Sequence, residues 1–247
     1  MNESRYETTI LLDQYLLFHY GSEQDQLPFD FGPQQALNFP VRCVTECIDL
    51  KALPKTPSAL DLGCAVGRSS FELSRYFQRV VGVDNSQSFI NAARHLQKHG
   101  KLEYSLHEEG AQTARRIASL PTGVNPAHVE FLCLDATKLA QKDSVYDVVL
   151  AANLICRLPD PKAFLENIHL LVASSGQLII TSPYSWLEEF TPRSKWLLAE
   201  TGLIGLKNIL NKHFNLKKAF DMPFLIREHK RKYQWGVTEA SSWIKKR

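Results

Sequence analysis

Apolar and polar positions divide the chain into three stretches. From about Arg5 to Tyr20, Ile10, Leu11, Tyr15, Leu16 and Phe18 recur at helical spacing before Gly21, which predicts an amphipathic helix with a glycine stop. Leu27 to Pro33 reads as a loop carrying two phenylalanines, and Val41, Val44, Cys47 and Ile48 resume the helical period until Pro54 and Pro57 close it. Residues 1–57 are thus expected to form a helical cap.

From residue 58 the period changes. Short β-branched runs at Ser58–Leu62, Val80–Asp84, Val129–Asp135, Tyr146–Asn153 and Gln177–Ser182 alternate with helical patterns near Arg68–Tyr76, Ser86–His99 and Asp160–Val172. Strands separated by helices predict a parallel sheet. Between them, Tyr104, Leu106 and Gly110 hint at an inserted strand, and Ala111–Leu120 reads as a short helix. After the fifth strand, residues 183–199 form an aromatic-rich insertion. A helix over Leu203–His213 and an antiparallel pair, Phe214–Phe220 with Phe224–Gly236, complete the expected order. With neither repeat nor linker, the reading is a single α/β domain over 1–247, with its core at 58–247.

Composition narrows the class. At 44% hydrophobic and 22% charged the chain has the balance of a soluble globular protein, and its net charge of +3 is too small to argue for nucleic acid. No apolar run reaches the roughly 18 residues a membrane helix needs, and Met1 to Arg5 lacks the basic and apolar regions of a secretory signal. The five cysteines include no C-x-x-C pair, so neither a disulfide framework nor a metal site is expected, and a reducing cytoplasm is.

Candidate chemistry starts at Ala59-Leu60-Asp61-Leu62-Gly63-Cys64-Ala65-Val66-Gly67-Arg68. An apolar run ends in an acid, a glycine-rich turn follows, and a helix opens. The small residues fall at Gly63, Ala65 and Gly67 rather than in the G-x-G-x-x-G spacing of dinucleotide sites, and the phosphate-cradling G-x-x-x-x-G-K-[ST] is absent. An acidic strand end suits an ammonium better than a pyrophosphate. The stretch resembles motif I of the class I S-adenosylmethionine-dependent methyltransferases, which implies their Rossmann-like, seven-stranded, mostly parallel sheet.

Three acids, Asp61, Asp84 and Asp135, end three of the predicted strands. Consecutive strand ends of an open parallel sheet line one crevice. In such a site Asp84 would accept from the two ribose hydroxyls, Asp135 from the adenine amino group, and Asp61 from the ammonium of the amino-acid arm. Cys64, Asn85, Ala136 and Asn153 flank these positions and join the expected cofactor contacts. Asn153-Leu154-Ile155-Cys156-Arg157, after the fourth strand, lacks the D/N-P-P-Y/F/W tetrapeptide of base N-methyltransferases, which argues against nucleic acid as substrate.

A closer resemblance spans most of the chain. Tyr15 to Gly21, Asn38 to Val44, Asp61 to Leu73, Ala151 to Ile155, the run Thr181-Ser182-Pro183-Tyr184-Ser185-Trp186-Leu187-Glu188-Glu189-Phe190-Thr191-Pro192, and Pro223 to Glu228 together resemble the methyltransferase domain of ovothiol biosynthesis. The resemblance implies methylation of the π nitrogen of 5-thiohistidine. It also implies a functional pairing with a sulfoxide synthase, here expected as a separate protein because the fusion common in that family is not seen.

On this reading Tyr184, Trp186 and Phe190 sandwich the thioimidazole. Asn153 and Glu189 hydrogen-bond it, and Arg42 or Arg227 pairs with its carboxylate, Arg193 being a further candidate. Tyr15, His19 and Tyr20 close the site from the cap. Asn153, Tyr184 and Glu189 are the expected catalytic set. The alternatives are a methyltransferase of another small amine or acid, and a non-catalytic cofactor-binding partner of the sulfoxide synthase.

Overall fold

The computed structural model describes residues 5–139 and 145–247; the reading of Met1–Ser4 lies outside them. In chain order the elements are α1 (Thr9–Tyr20), α2 (Glu23–Gln26), α3 (Phe39–Thr45), β1 (Ser58–Leu62), α4 (Arg68–Leu73), β2 (Arg79–Asp84), α5 (Gln87–His99), β3 (Lys101–His107), β4 (Thr113–Ser119), β5 (Val129–Cys133), β6 (Tyr146–Ala152), α6 (Pro161–Asn167), β7 (Val172–Ser182), α7 (Gly202–Leu210), β8 (Phe214–His229) and β9 (Lys232–Lys245). The expected α/β architecture is present. A seven-stranded sheet runs in the order β5-β2-β1-β6-β7-β9-β8, with β3 and β4 paired apart from it. The first five are parallel, and β9 and β8 close the edge antiparallel.

Strand side chains alternate between two packed faces. Leu60, Leu62, Val81, Val83, Val149 and Ile180 face α6, α7 and the fully buried Trp243. Ala59, Val80, Val148, Leu150 and Ile179 face the opposite layer, built from α1, α3, α4 and α5. Asp61 therefore emerges under α4, and its strand neighbours are the fully apolar Leu60 and Leu62.

Two local expectations are corrected. Residues 111–120 form no helix, because β4 pairs along its length with β3 and the two make a hairpin with Tyr104, Leu106 and Ala118 buried beneath it. Helix-favouring Ala and Arg are overridden by that alternation, and Ile117, 55% exposed, is the outward residue that blurs the period. The terminal pair is also longer. The expected strand Phe224–Gly236 crosses the turn between His229 and Lys232: its first part continues β8 through Pro223, where the sheet edge tolerates proline's missing N–H, and its second part opens β9.

Gly67 caps α4 at φ 85°, where a Cβ would stand 2.7 Å from the Phe131 ring of β5. Gly100 has a similar φ of 75° with nothing within 4 Å. Gly100→Ala should cost only the left-handed backbone penalty, about 1–2 kcal/mol. Gly67→Ala adds overpacking and should lose about 2–5 kcal/mol in urea unfolding. Equal losses would show that the contact with Phe131 is relieved at no cost.

Candidate active site

The loop between β1 and α4 is held by the end of β2. Gly63 N–H and Cys64 N–H both donate to Val83 O (2.8 and 3.0 Å), and Ala65 N–H donates to Asp84 Oδ2 (2.9 Å). Gly63 sits at φ 71° and Ala65 at φ 47°. Alanine there is strained, and the Asp84 bond helps hold it. Ser86 N–H donates to the other Asp84 oxygen at 2.9 Å. A carboxylate has about four lone-pair sites, so acceptor capacity remains for a ligand's hydroxyls.

Around this loop lies a cavity of about 670 Å³, within the range of small-molecule sites. Its walls include Asp61, Gly63, Cys64, Ala65, Asp84, Asn85, Asp135, Ala136 and Asn153 from the strand ends, Tyr15 and His19 from α1, and Phe190 from the insertion. Asp61 is 1% exposed and accepts the Ser70 hydroxyl at 2.6 Å. Burial pushes its carboxyl up to about 7, with Asp84 adding in the same direction. Burial also raises Asp84, against the backbone N–H donors that lower it. Asp135 is opposite in sign: burial opposes its ionisation, but the Thr137 hydroxyl and N–H it caps outweigh that and keep it below the usual range.

Asn153 occupies the left-handed region at φ 50°. Its backbone N–H is bound by Thr181, and its side-chain oxygen accepts from the Thr181 and Thr238 hydroxyls at 3.1 and 2.5 Å. The NH₂ end is left for a ligand. His19 stacks on Tyr15, and its buried Nδ1 has no partner among the described residues. Burial first, then Arg68, lowers His19 to about 3, so the imidazole is neutral at ordinary pH.

Other expected residues are placed elsewhere. Gly67 turns the chain into α4 and does not border the cavity. Tyr20 donates to Val66 O at 2.8 Å, bracing the glycine loop from behind. Arg42 is spent on Glu46 and the carbonyls of Gln35 and Pro223. Arg227, 3% exposed, bonds Asp25 O and Glu108, while Arg193 lies over the Trp196 ring. Tyr184 donates to Glu239 at 2.6 Å, and burial together with that carboxylate pushes its phenol upward, so it stays protonated. Trp186 packs on the core face beside α7, and Glu189 is not on the cavity wall. A sandwich of Tyr184, Trp186 and Phe190 is therefore not formed; Phe190 alone of the three reaches the cavity. In their place stand Tyr6, Gln14, Arg157, Gln234 and Trp235. Phe224 and Ile226 of β8 also line the cavity, within the Pro223 to Glu228 segment that the resemblance includes, whereas Trp235 of β9, 59% exposed, lies outside every segment of that resemblance.

A crevice at the carboxyl ends of parallel strands, lined by three carboxylates, defines a nucleoside-type cofactor site on a Rossmann-like fold. Residues 60–180 match the family described as methyltransferase domain. The chain carries a class I S-adenosylmethionine-dependent methyltransferase domain, and S-adenosylmethionine is the cofactor its site fits. Over 128 residues it is 24% identical to a ubiquinone biosynthesis O-methyltransferase of Coxiella burnetii, covering 52% of this chain and 44% of that protein. The corresponding Bradyrhizobium diazoefficiens protein is 24% identical over 123 residues, covering 50% and 38%. This chain thus matches less than half the length of those relatives. The N-methyltransferase NodS from Bradyrhizobium japonicum, solved with S-adenosyl-L-homocysteine, superposes with a TM-score of 0.56 at 13% identity, covering 97% of this chain and 98% of that one. The [4+2]-cyclase SpnF reaches the same TM-score of 0.56 at 19% identity, covering 88% and 73%. At these identities the likeness is one of fold. No described helix is long and apolar enough to cross a membrane, and the five cysteines are free.

Asp61 gives the site a pH signature. In the empty protein the carboxyl holds its proton below about pH 7, whereas the unfolded chain releases it near 4, so this group's contribution to stability falls as pH rises between those values. A bound ammonium needs the ionised form. The affinity for S-adenosylmethionine should therefore rise up to about tenfold per unit as pH climbs toward 7 and then level off. Calorimetric titration of wild type and Asp61→Asn checks this. Wild type should show the rise and the variant should not; a flat wild-type profile removes Asp61 from ammonium binding.

Proposed function

We propose that this domain transfers the methyl group of S-adenosylmethionine to the π nitrogen of 5-thiohistidine, forming ovothiol A. The observation that carries the reading is a cavity in which three strand-end carboxylates face aromatic walls: Tyr15 from the cap, Phe190 from the insertion and Trp235 from β9. It is supported by the resemblance of the segments carrying Tyr15 and Phe190 to the ovothiol methyltransferase domain. The thiohistidine would come from a sulfoxide synthase, a functional pairing that belongs to this proposal, as does the single-domain reading of 1–247.

The cofactor's roles follow the strand ends. Asp84 takes the ribose hydroxyls, Asp135 the adenine amino group and Asp61 the ammonium. The methyl then faces the acceptor, and the protein's task is to hold the nucleophile about 3 Å from it, in line with the breaking C–S bond. The thiolate feeds charge into the imidazole, so sulfur competes with ring nitrogen and aim decides the product. Asn153 supplies that aim: with its oxygen fixed by Thr181 and Thr238, its NH₂ is a directed donor. Neutral His19 offers a second polar contact from α1 and no titration between pH 5 and 8.

A second reading has an observation of its own. The relatives named O-methyltransferases favour an oxygen acceptor.

Mass spectrometry of product formed with S-adenosylmethionine and 5-thiohistidine, histidine, ergothioneine or a catechol acid separates these readings. The expected result is a π-methyl product from thiohistidine alone, its position read by NMR. Methylation of the catechol acid only would replace the substrate, and cofactor binding with no transfer to any acceptor would favour a non-catalytic partner role. Asn153→Ala should lower kcat/KM about 10- to 100-fold, as expected for loss of one positioned donor. An unchanged N/S product ratio at unchanged rate would remove Asn153 from aiming the ring.

A further inference from the structure

The two arginines expected to receive the acceptor's carboxylate are bound elsewhere, which leaves an anion without a partner. Among the described residues that wall the cavity, Arg157 is the one arginine and no lysine occurs. It follows β6 in the loop that also carries Asn153.

Arg157 is held in a particular attitude. Nη1 donates to Ser185 O at 2.8 Å and to Cys156 O at 3.0 Å, with Cys156 Sγ at 3.4 Å. The guanidinium carbon lies over the Phe190 ring, 5.1 Å from its centroid. Both Nη1 protons are thereby used on the protein, while Nε and Nη2 make no hydrogen bond with the described residues. That remaining Nε–Nη2 edge presents two parallel N–H groups, the geometry that matches a carboxylate in a bidentate pair. No carboxylate among the described residues lies within ion-pairing distance of it.

The anchors identify the side of the cavity. Ser185 and Phe190 both come from the insertion that follows β7, whereas Asp84 and Asp135 mark the nucleoside end. From the fixed fork, the stacking ring and the absence of a second cation on the wall, we infer that Arg157 is a specificity-determining residue that binds the carboxylate of the methyl acceptor. The acceptor is then a small planar molecule bearing an acid, and the decarboxylated amine or phenol is rejected. This rests on the methyl-transfer reading but not on thiohistidine itself. The cofactor also owns a carboxylate, so the test separates the two anions.

Binding to protein loaded with S-adenosyl-L-homocysteine is measured by calorimetry for three acid and decarboxylated pairs: 5-thiohistidine and its amine, histidine and histamine, 3,4-dihydroxybenzoate and catechol. Wild type should prefer the acid in at least one pair by about 30-fold, the worth of a charge-assisted bidentate contact. Arg157→Gln should erase that preference while holding S-adenosyl-L-homocysteine within about twofold, and Arg157→Lys, which keeps the charge without the fork, should restore only part of it. If the thiohistidine pair fails but another acid shows the pattern, the substrate reading falls and this inference stands. Lack of acid preference, or of measurable binding, in every pair overturns it. So does a loss of S-adenosyl-L-homocysteine affinity in a variant that melts at the wild-type temperature, since that would give Arg157 to the cofactor. Should Arg157→Gln fail to fold, the lysine variant carries the same comparison, and an undiminished acid preference there overturns the inference.

Discussion

The site depends on how the turn after β1 is clamped to the end of β2. Three backbone N–H groups, from Gly63, Cys64 and Ala65, are taken by Val83 O and Asp84. Parallel strand pairing sets the register, with Leu62 beside Val83 and Asp84 beside Cys133, and the clamp fixes the loop over it. Asp84 is thus a structural acceptor on its inner side and available to a ligand on its outer side. Tyr20 adds a brace through Val66 O, so α1 is tied to the same turn that it helps to enclose.

That clamp also accounts for the electrostatics. Asp61 and Asp84 are brought together in low-dielectric surroundings, and burial raises both, against the backbone donors that Asp84 receives. Such an arrangement is unfavourable for an empty protein, because a buried carboxylate without a cation costs free energy. It becomes favourable when a cation enters. Asp84 and Asp135 each accept from the residue two places on, Ser86 and Thr137, whereas Asp61 accepts the Ser70 hydroxyl from α4. The unevenness follows from position: Asp61 lies inside the sheet beneath α4, whereas Asp135 opens a turn at the rim.

How much was legible in the sequence divides along a physical line. Strand ends, the glycine turn and the acids after them are local, and local chemistry determines them: Gly63 and Gly67 do lie at positive φ, and Ser86 does cap α5. The acceptor side was legible only in part. Arg42, Arg227 and Tyr184 carry suitable groups, but whether a guanidinium or phenol is free depends on partners far along the chain, namely Pro223, Glu108 and Glu239. Charge spacing in a sequence cannot show that a side chain is already satisfied. Trp235 was placed in a single strand over Phe224–Gly236, because the polar residues of the turn between His229 and Lys232 carry neither glycine nor proline to mark it.

The same division explains why one fold carries unrelated acceptors. The cofactor half is built from consecutive strand ends, whose convergence is imposed by topology. The other half is assembled from α1, the loop after β6, the insertion after β7 and the β8–β9 hairpin at the sheet edge. Changes in the loop after β6 or the insertion after β7 alter the cavity while the bonds of Gly63, Cys64 and Ala65 to Val83 and Asp84 stay in place, whereas α1 is tied to that turn through Tyr20. Asn153 stands at the junction of the two halves. It lies at a strand end like the acids, but its side chain is fixed by Thr181 and by Thr238 of β9. A residue anchored to both halves is well placed to transmit the rigidity of the sheet to an acceptor, which is what aiming a nucleophile at the methyl group requires.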